Sequence, residues 1–154
     1  MNPANKVFLG VLTASLIGGA ALWEGDERTP YEDIVGVLTV CYGYTGADIV
    51  RNKVYTKEEC DGLLKRELAS YSKGILECTN VPITQYEHDA YTLFAYNVGV
   101  KAYCGSSLLK KLNAGDHIGA CDGLPAWSYA KGRYVKGLYN RRVYERKMCL
   151  GGAK

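Results

Sequence analysis

WEGDERTPYEDIVGVLTVCYGYTG, residues 23–46, is the stretch at which the chain changes character. Thr29–Pro30 stops any helix arriving from the amino end, because proline has no N–H to donate and pushes the residue before it into extended backbone. From Tyr31 to Thr45 the residues are mostly β-branched or aromatic, punctuated by Gly36, Gly43 and Gly46, which predicts a small sheet with tight turns. Between residues 24 and 33 lie five acids (Glu24, Asp26, Glu27, Glu32, Asp33) and one base, Arg28.

Acids in that setting point to carboxylate chemistry. No GxSxG, P-loop, GxGxxG or HExxH is present, and His88 and His117, which are not spaced with any cysteine as metal ligands would be, read as surface or cap residues. Glu24 directly follows an apolar run and Trp23, so desolvation should raise its proton affinity and suit it to act as an acid. If the chain turns back at Val35–Gly36, Asp33 and Thr39 become cross-strand neighbours able to hold one water between them. An acid facing a water-activating carboxylate describes an inverting glycosidase, whose two carboxyls stand roughly 6.5–9.5 Å apart.

Upstream, Val7–Leu22 carries no charge; Lys6 precedes it, and Glu24, Asp26 and Glu27 follow, the orientation signal for an amino terminus left in the cytoplasm. As one helix these residues would rise about 24 Å, short of a hydrocarbon core of roughly 30 Å. Gly10, Thr13, Ser15, Gly18 and Gly19 weaken the run further. It reads as a cleaved signal peptide, a stable anchor, or a weak anchor that can later leave the bilayer.

Downstream the pattern turns helical. Thr56-x-x-Glu59 and Thr84-x-x-Glu87 are capping boxes. The first opens a helix carrying Cys60, Leu63, Leu64, Leu68 and Tyr71 on one face; the second leads through Val98 to a stop at Gly99, apolar nearly all round and therefore central. Ser106 or Ser107 and Asp116 should cap short helices, and Asn140 a last one carrying Val143, Met148 and Cys149. A small sheet followed by helices makes the fold class α+β.

The 154 residues suit about one domain, and a net charge of +3 is too small to argue for a nucleic-acid partner. Charge is uneven all the same: seven bases and one acid lie between Lys131 and Lys147, a basic carboxy-terminal segment that reads as a solvated face or as one that favours an anionic wall polymer. Six cysteines without a CxxC pair point to disulfides in an oxidising compartment rather than to zinc, in any of fifteen connectivities.

The spacing Glu24-x8-Asp33-x5-Thr39, with Glu-Gly, Tyr-x-Asp, Gly-Val-x-Thr-Val-Cys-Tyr-Gly and Thr-Gly around it, resembles the phage-type lysozymes of the T-even kind, glycoside hydrolase family 24. It is most similar to the endolysins of lambdoid phages, and YTKEEC, PITQYEHDAYTLFAYNVG, GSSLLKKLNAGDHIGAC and LYNRRVYERKMC extend the resemblance to about Cys149. The resemblance implies a lysozyme-like fold: a small N-terminal sheet lobe and a mainly helical C-terminal lobe, preceded by an apolar helix. It implies a muramidase that hydrolyses the bond between N-acetylmuramic acid and N-acetylglucosamine in peptidoglycan, lysing the host. Glu24 would be the general acid, Asp33 the water-activating carboxylate and Thr39 the residue that positions the water, with no cofactor or metal. Residues 1–23 would form a signal-anchor-release segment exported by the host Sec machinery, and residues 24–154 the catalytic domain, acting as a monomer. Held at the inner membrane through residues 7–22 with its amino terminus in the cytoplasm, the enzyme would be freed to the periplasm when a holin or pinholin collapses the membrane potential. The family pattern favours Cys41–Cys60, Cys78–Cys104 and Cys121–Cys149. Tyr44 stands where relatives usually have histidine, which puts a local stabilising contact in doubt. The rivals are a lytic transglycosylase and a non-enzymatic periplasmic wall-binding or membrane-lesion protein.

Overall fold

The computed structural model describes residues 1–151; the last three residues of the expected 24–154 unit lie outside the described residues. After a 3-10 helix over Pro3–Phe8 come α1 (Ala14–Glu24), β1 (Glu27–Glu32) and β2 (Leu38–Cys41). The helices α2 (Lys57–Cys78), α3 (Gln85–Val98), α4 (Val100–Cys104), α5 (Ser107–Asn113) and α6 (His117–Asp122) follow, then a two-stranded ribbon of β3 (Tyr129–Ala130) and β4 (Arg133–Tyr134), and finally α7 (Lys136–Cys149). Two separate antiparallel pairs, β1–β2 and β3–β4, and a helical body make the expected α+β plan.

Both capping boxes form as written, Thr56 with Glu59 and Thr84 with Glu87. Their two helices do most of the structural work. The first half of α2 (Cys60, Leu64, Leu68) joins Val40, Tyr42, Tyr44 and Tyr55 in a core beneath the sheet, while Ile75 and Leu76 near its end join the main core with Ala90, Tyr91 and Phe94. One long helix thus ties the two lobes together. Helix α3 is buried from Glu87 through Ala95 and is the central helix that its composition required. The disulfides are Cys41–Cys60, Cys78–Cys104 and Cys121–Cys149.

Four expectations change. The leader is not one apolar helix, and no helix of the described residues is long and apolar enough to cross a membrane. It breaks at Leu9–Thr13, where Gly10 takes φ +76° and the Thr13 side chain caps α1 by accepting from the Leu16 N–H. Both pieces dock on the body: Phe8 stacks on the His88 ring at 4.9 Å, and Leu16 and Ala20 pack in the core beneath the sheet. At Gly19 a Cβ would stand 2.8 Å from Leu93 Cδ1, so the glycine that weakens the run as a membrane span also lets α1 approach α3. His88, read as a surface or cap residue, is fully buried, with Nδ1 2.8 Å from Asp89 Oδ1 and Nε2 2.6 Å from Ser72 Oγ. Asn140 lies inside α7 rather than capping it, because the β3–β4 ribbon, closed by Val135 N–H donating to Ser128 O at 2.8 Å, delivers the chain to a start at Lys136. Neither the ribbon nor α4 was expected from the sequence.

Helix α7 carries a fully buried ion pair. Arg142 Nε lies 2.8 Å from Glu145 Oε1, and Arg142 Nη2 donates to Asn97 Oδ1 at 2.9 Å. Burial pushes the Glu145 carboxyl up to about 7 against the pull of Arg142. The folded state therefore holds that proton more tightly than the unfolded chain does. The stability gained from this group is complete below the ordinary value of 4.5 and declines as pH rises toward about 7. Removing one partner strands a buried charge, whereas replacing both does not. Arg142→Met should cost about 3–5 kcal/mol of unfolding free energy at pH 7.5, and less at pH 5, where Glu145 can take a proton. Arg142→Met combined with Glu145→Leu should recover most of the loss, as measured by urea unfolding of the oxidised protein.

Candidate active site

Glu24 is the last residue of α1, and Gly25, at φ +73°, turns the chain away toward β1. Its Oε1 accepts from Arg141 Nη1 at 2.9 Å, while Arg141 Nη2 donates to the Trp23 carbonyl at 2.8 Å. The same guanidinium lies over the Trp23 ring at 5.9 Å, and Trp23 meets Tyr144 edge-on. One arginine therefore grips the end of α1 by a side chain, a backbone carbonyl and an aromatic face. Burial raises the Glu24 proton affinity above the ordinary carboxylate value; the charge and hydrogen bond of Arg141 pull the other way without cancelling it. Only about 20% of the Glu24 side chain is exposed.

Facing Oε2 is a tight turn. Val40 and Tyr44 exchange both backbone hydrogen bonds at 2.9 Å around Cys41–Gly43, with Cys41 at φ +61° and Gly43 at φ +80°. A Cβ on Gly43 would stand 3.1 Å from Glu24 Oε2, so a bare backbone is what leaves room for the carboxylate. The Cys41–Cys60 disulfide fastens this turn to α2, and Tyr96 Oη donates to the Tyr42 carbonyl at 3.0 Å from α3. Burial, and after it the Glu24 charge, holds the Tyr96 hydroxyl protonated.

Asp33 follows β1 in a turn closed by Gly36 N–H donating to Asp33 O at 2.9 Å, with Gly36 at φ +81°. Its Oδ1 accepts from the N–H groups of Val35 and Val37, each at 2.9 Å, which fixes the carboxylate to its own turn. Thr39 is buried in β2 opposite Tyr31, and its hydroxyl donates to Val37 O at 3.0 Å. Asp33 N–H donates to Val37 O, so Asp33 faces Val37. Asp33 and Thr39 are therefore diagonal neighbours on one face of the hairpin and not directly opposed, because the hairpin is centred on Val35, whereas setting Asp33 opposite Thr39 needs a centre at Gly36. Along the hairpin, Glu24 stands at the root, Thr39 midway and Asp33 at the distal turn.

Tyr44 keeps a local contact of its own: its hydroxyl hydrogen-bonds Asp48 and accepts from Arg66 Nη2 at 2.8 Å. Sequence reasoning missed Arg141, Gly43 and Tyr96. Arg141 was taken with the basic carboxy-terminal segment as a solvated face. The available signal was two adjacent arginines three and four residues before a glutamate, a spacing that sends neighbouring cations to different sides of a helix. A cavity of about 680 Å³ bordered by Tyr86, His117, Ile118, Arg146 and Leu150 shares no residue with this group.

Residues 21–145 match the family described as phage lysozyme. Over 135 residues the chain is 47% identical to the SAR-endolysin of Bacteriophage PS119, covering 88% of this chain and 81% of that protein. Among solved structures it is similar to an endolysin from the Escherichia coli O157:H7 phage FAHEc1, with a TM-score of 0.83 and 29% identity over 93% of this chain and 95% of that one. Its fold also follows the active form of P1 phage endolysin Lyz, with a TM-score of 0.78, 24% identity, and coverage of 100% and 86%. The secreted inactive form of Lyz is less similar, with a TM-score of 0.58, 18% identity, and coverage of 88% and 96%.

Because Arg141 is the main influence that lowers the Glu24 proton affinity, Arg141→Gln should move the Glu24 titration to higher pH. Carboxyl-carbon NMR of the labelled protein reads this directly. A titration that stays in place would show that Arg141 holds the end of α1 without tuning the acid.

Proposed function

The chain belongs to the phage lysozyme family, and from that premise we propose that Glu24, Asp33 and Thr39 are its catalytic residues. The protein is an endolysin, a glycoside hydrolase with muramidase activity on peptidoglycan that lyses the host for phage release. Glu24, protonated in its buried niche, delivers its proton to the glycosidic oxygen. Asp33, with one oxygen fixed by its turn, takes the proton of a water that Thr39 helps to place. That water attacks the anomeric carbon from the opposite face and inverts it. The observation that carries this reading is the desolvated Glu24 held by Arg141 at the root of a hairpin whose one face bears both Asp33 and Thr39.

Residues 1–23 form the signal-anchor-release segment and residues 24–154 the catalytic unit, a division of role across which α1 runs unbroken. Exported by the Sec machinery, the chain sits in the inner membrane through residues 7–22 with the catalytic unit in the periplasm. A holin or pinholin lets it go by collapsing the membrane potential. While α1 lies in lipid, its last residue is away from Arg141 and the acid is misplaced; release lets the leader fold onto the body. The docking contacts support this. Asn5 Nδ2 donates to Val81 O at 2.9 Å, the Ile83 N–H donates to Asn5 Oδ1 at 3.1 Å, and Thr13 Oγ1 donates to the buried Asp89 Oδ2 at 2.6 Å.

Glu24→Gln, nearly isosteric, should cut the clearing of permeabilised Gram-negative cells by at least about 10²-fold while the melting temperature holds. Wild-type products should carry reducing ends; anhydro-muramic ends would instead assign a lytic transglycosylase. Thr13→Val strips the buried Asp89 of a donor, at about 1–3 kcal/mol. It should delay lysis in cells without reducing membrane-inserted protein on immunoblots, and the released form should keep its full-length mass.

A further inference from the structure

From Gly123 through Tyr144 the chain carries five bases, Lys131, Arg133, Lys136, Arg141 and Arg142, and no acid. The two arginines of α7 are accounted for by Glu24 and by Glu145. The other three cations make no ion pair among the described residues. Two of them flank an aromatic surface. Tyr129 and Tyr134 are register partners across the β3–β4 ribbon, so their side chains leave the same face, while Arg133 leaves the other. The rings of Tyr129 and Tyr134 meet at 5.9 Å, and Tyr134 meets Tyr139 of α7 at 6.1 Å. Lys131 sits at the tip of the ribbon at φ +51°, and Lys136 at its base as the first residue of α7.

These tyrosines are not core. Tyr129 is 62% exposed, Tyr134 53% and Tyr139 40%. The ribbon is nevertheless firmly rooted: Ser128 is buried with its hydroxyl donating to Pro125 O, and Trp127 packs edge-on against Phe94 at 5.2 Å. Tyr134 touches both other rings, edge-on to Tyr129 at 70° and tilted by 51° to Tyr139, so the three form a stepped aromatic surface held out from a fixed base, with separate ring faces and phenolic edges. Such a surface suits a ligand with apolar faces and polar rims, as pyranose rings have, better than the acyl region of a bilayer, which larger apolar side chains would enter. The unpaired cations add a field that draws carboxylates. Tyr139 belongs to the same helix as Arg141 but lies two residues before it, about 200° around the axis, so the aromatic surface is separate from the residues that hold Glu24.

We propose that the Tyr129–Tyr134–Tyr139 face, with Lys131 and Lys136 at its two ends, is a second peptidoglycan-binding surface that takes uncleaved strand outside the cleavage site. The rings stack on sugar, and the ammonium groups meet the carboxylates of the stem peptides. The choice of polymer rests on the muramidase reading; the surface itself does not need catalysis.

The test uses full-length protein with Glu24→Gln, which binds wall without cutting it, in co-sedimentation with purified sacculi. Tyr129→Leu with Tyr134→Leu keeps apolar contact within the ribbon while removing flat faces and hydroxyls, and should raise Kd on the order of tenfold with an unchanged melting temperature. Lys131→Gln with Lys136→Gln leaves the rings alone. It should raise Kd about threefold to fivefold at low salt, with the difference closing at about 1 M salt. On sacculi stripped of stem peptides by an amidase, the lysine effect should vanish and the tyrosine effect persist. Binding within twofold of the parent for both pairs would overturn the proposal. So would a loss confined to anionic phosphatidylglycerol vesicles, which would assign the face to lipid. Reducing ends released by wild-type protein test the muramidase reading separately, so its failure would be distinguishable from failure of this surface.

Discussion

A carboxylate at the end of an apolar helix gains its chemistry from what that helix does. When α1 docks, Leu16 and Ala20 enter the core beneath the sheet, Gly19 lets the backbone close on Leu93, and Glu24 is carried out of water at the far end. Desolvation then favours the proton, while Arg141 opposes it in part and its hydrogen bond orients the carboxyl. Every other feature of the site answers to that placement. The turn at Cys41–Gly43 must be tight and bare at Gly43, a disulfide must pin it, and α7 must present an arginine where α1 ends.

Helix α7 solves an electrostatic problem by rotation. Adjacent residues on a helix point about 100° apart, so Arg141 and Arg142 serve different carboxylates. Arg141 reaches the end of α1, while Arg142 is sunk between Phe94, Asn97 and Glu145. The charge of Arg142 is thereby fixed behind the site instead of competing for Glu24. The segment just before α7 has no such partners, which is why its cations remain on the surface beside the tyrosines.

Much of this was legible because it is local. The capping boxes at Thr56 and Thr84, the stop at Gly99, the glycine-marked turns of the sheet and the apolar circumference of α3 depend on residues within a turn or two of each other. The break in the leader was not legible, because an uncharged composition says nothing of Gly10 adopting a left-handed conformation or of Thr13 finding Asp89. Asn140 misled because capping residues also occur within helices, and the start of α7 is set by the Val135 N–H donating to the carbonyl of Ser128, eight residues before Lys136.

By itself the sequence determined the α+β class, the capped helices α2 and α3, and the stretch of residues 24–39 in which Glu24, Asp33 and Thr39 lie, since periodicity, caps and turns act over short stretches of chain. Tertiary structure alone decided that Arg141 meets Glu24 across 117 positions and that the leader packs on the body. Those outcomes depend on which surfaces exclude water together, a quantity that no short window of residues contains.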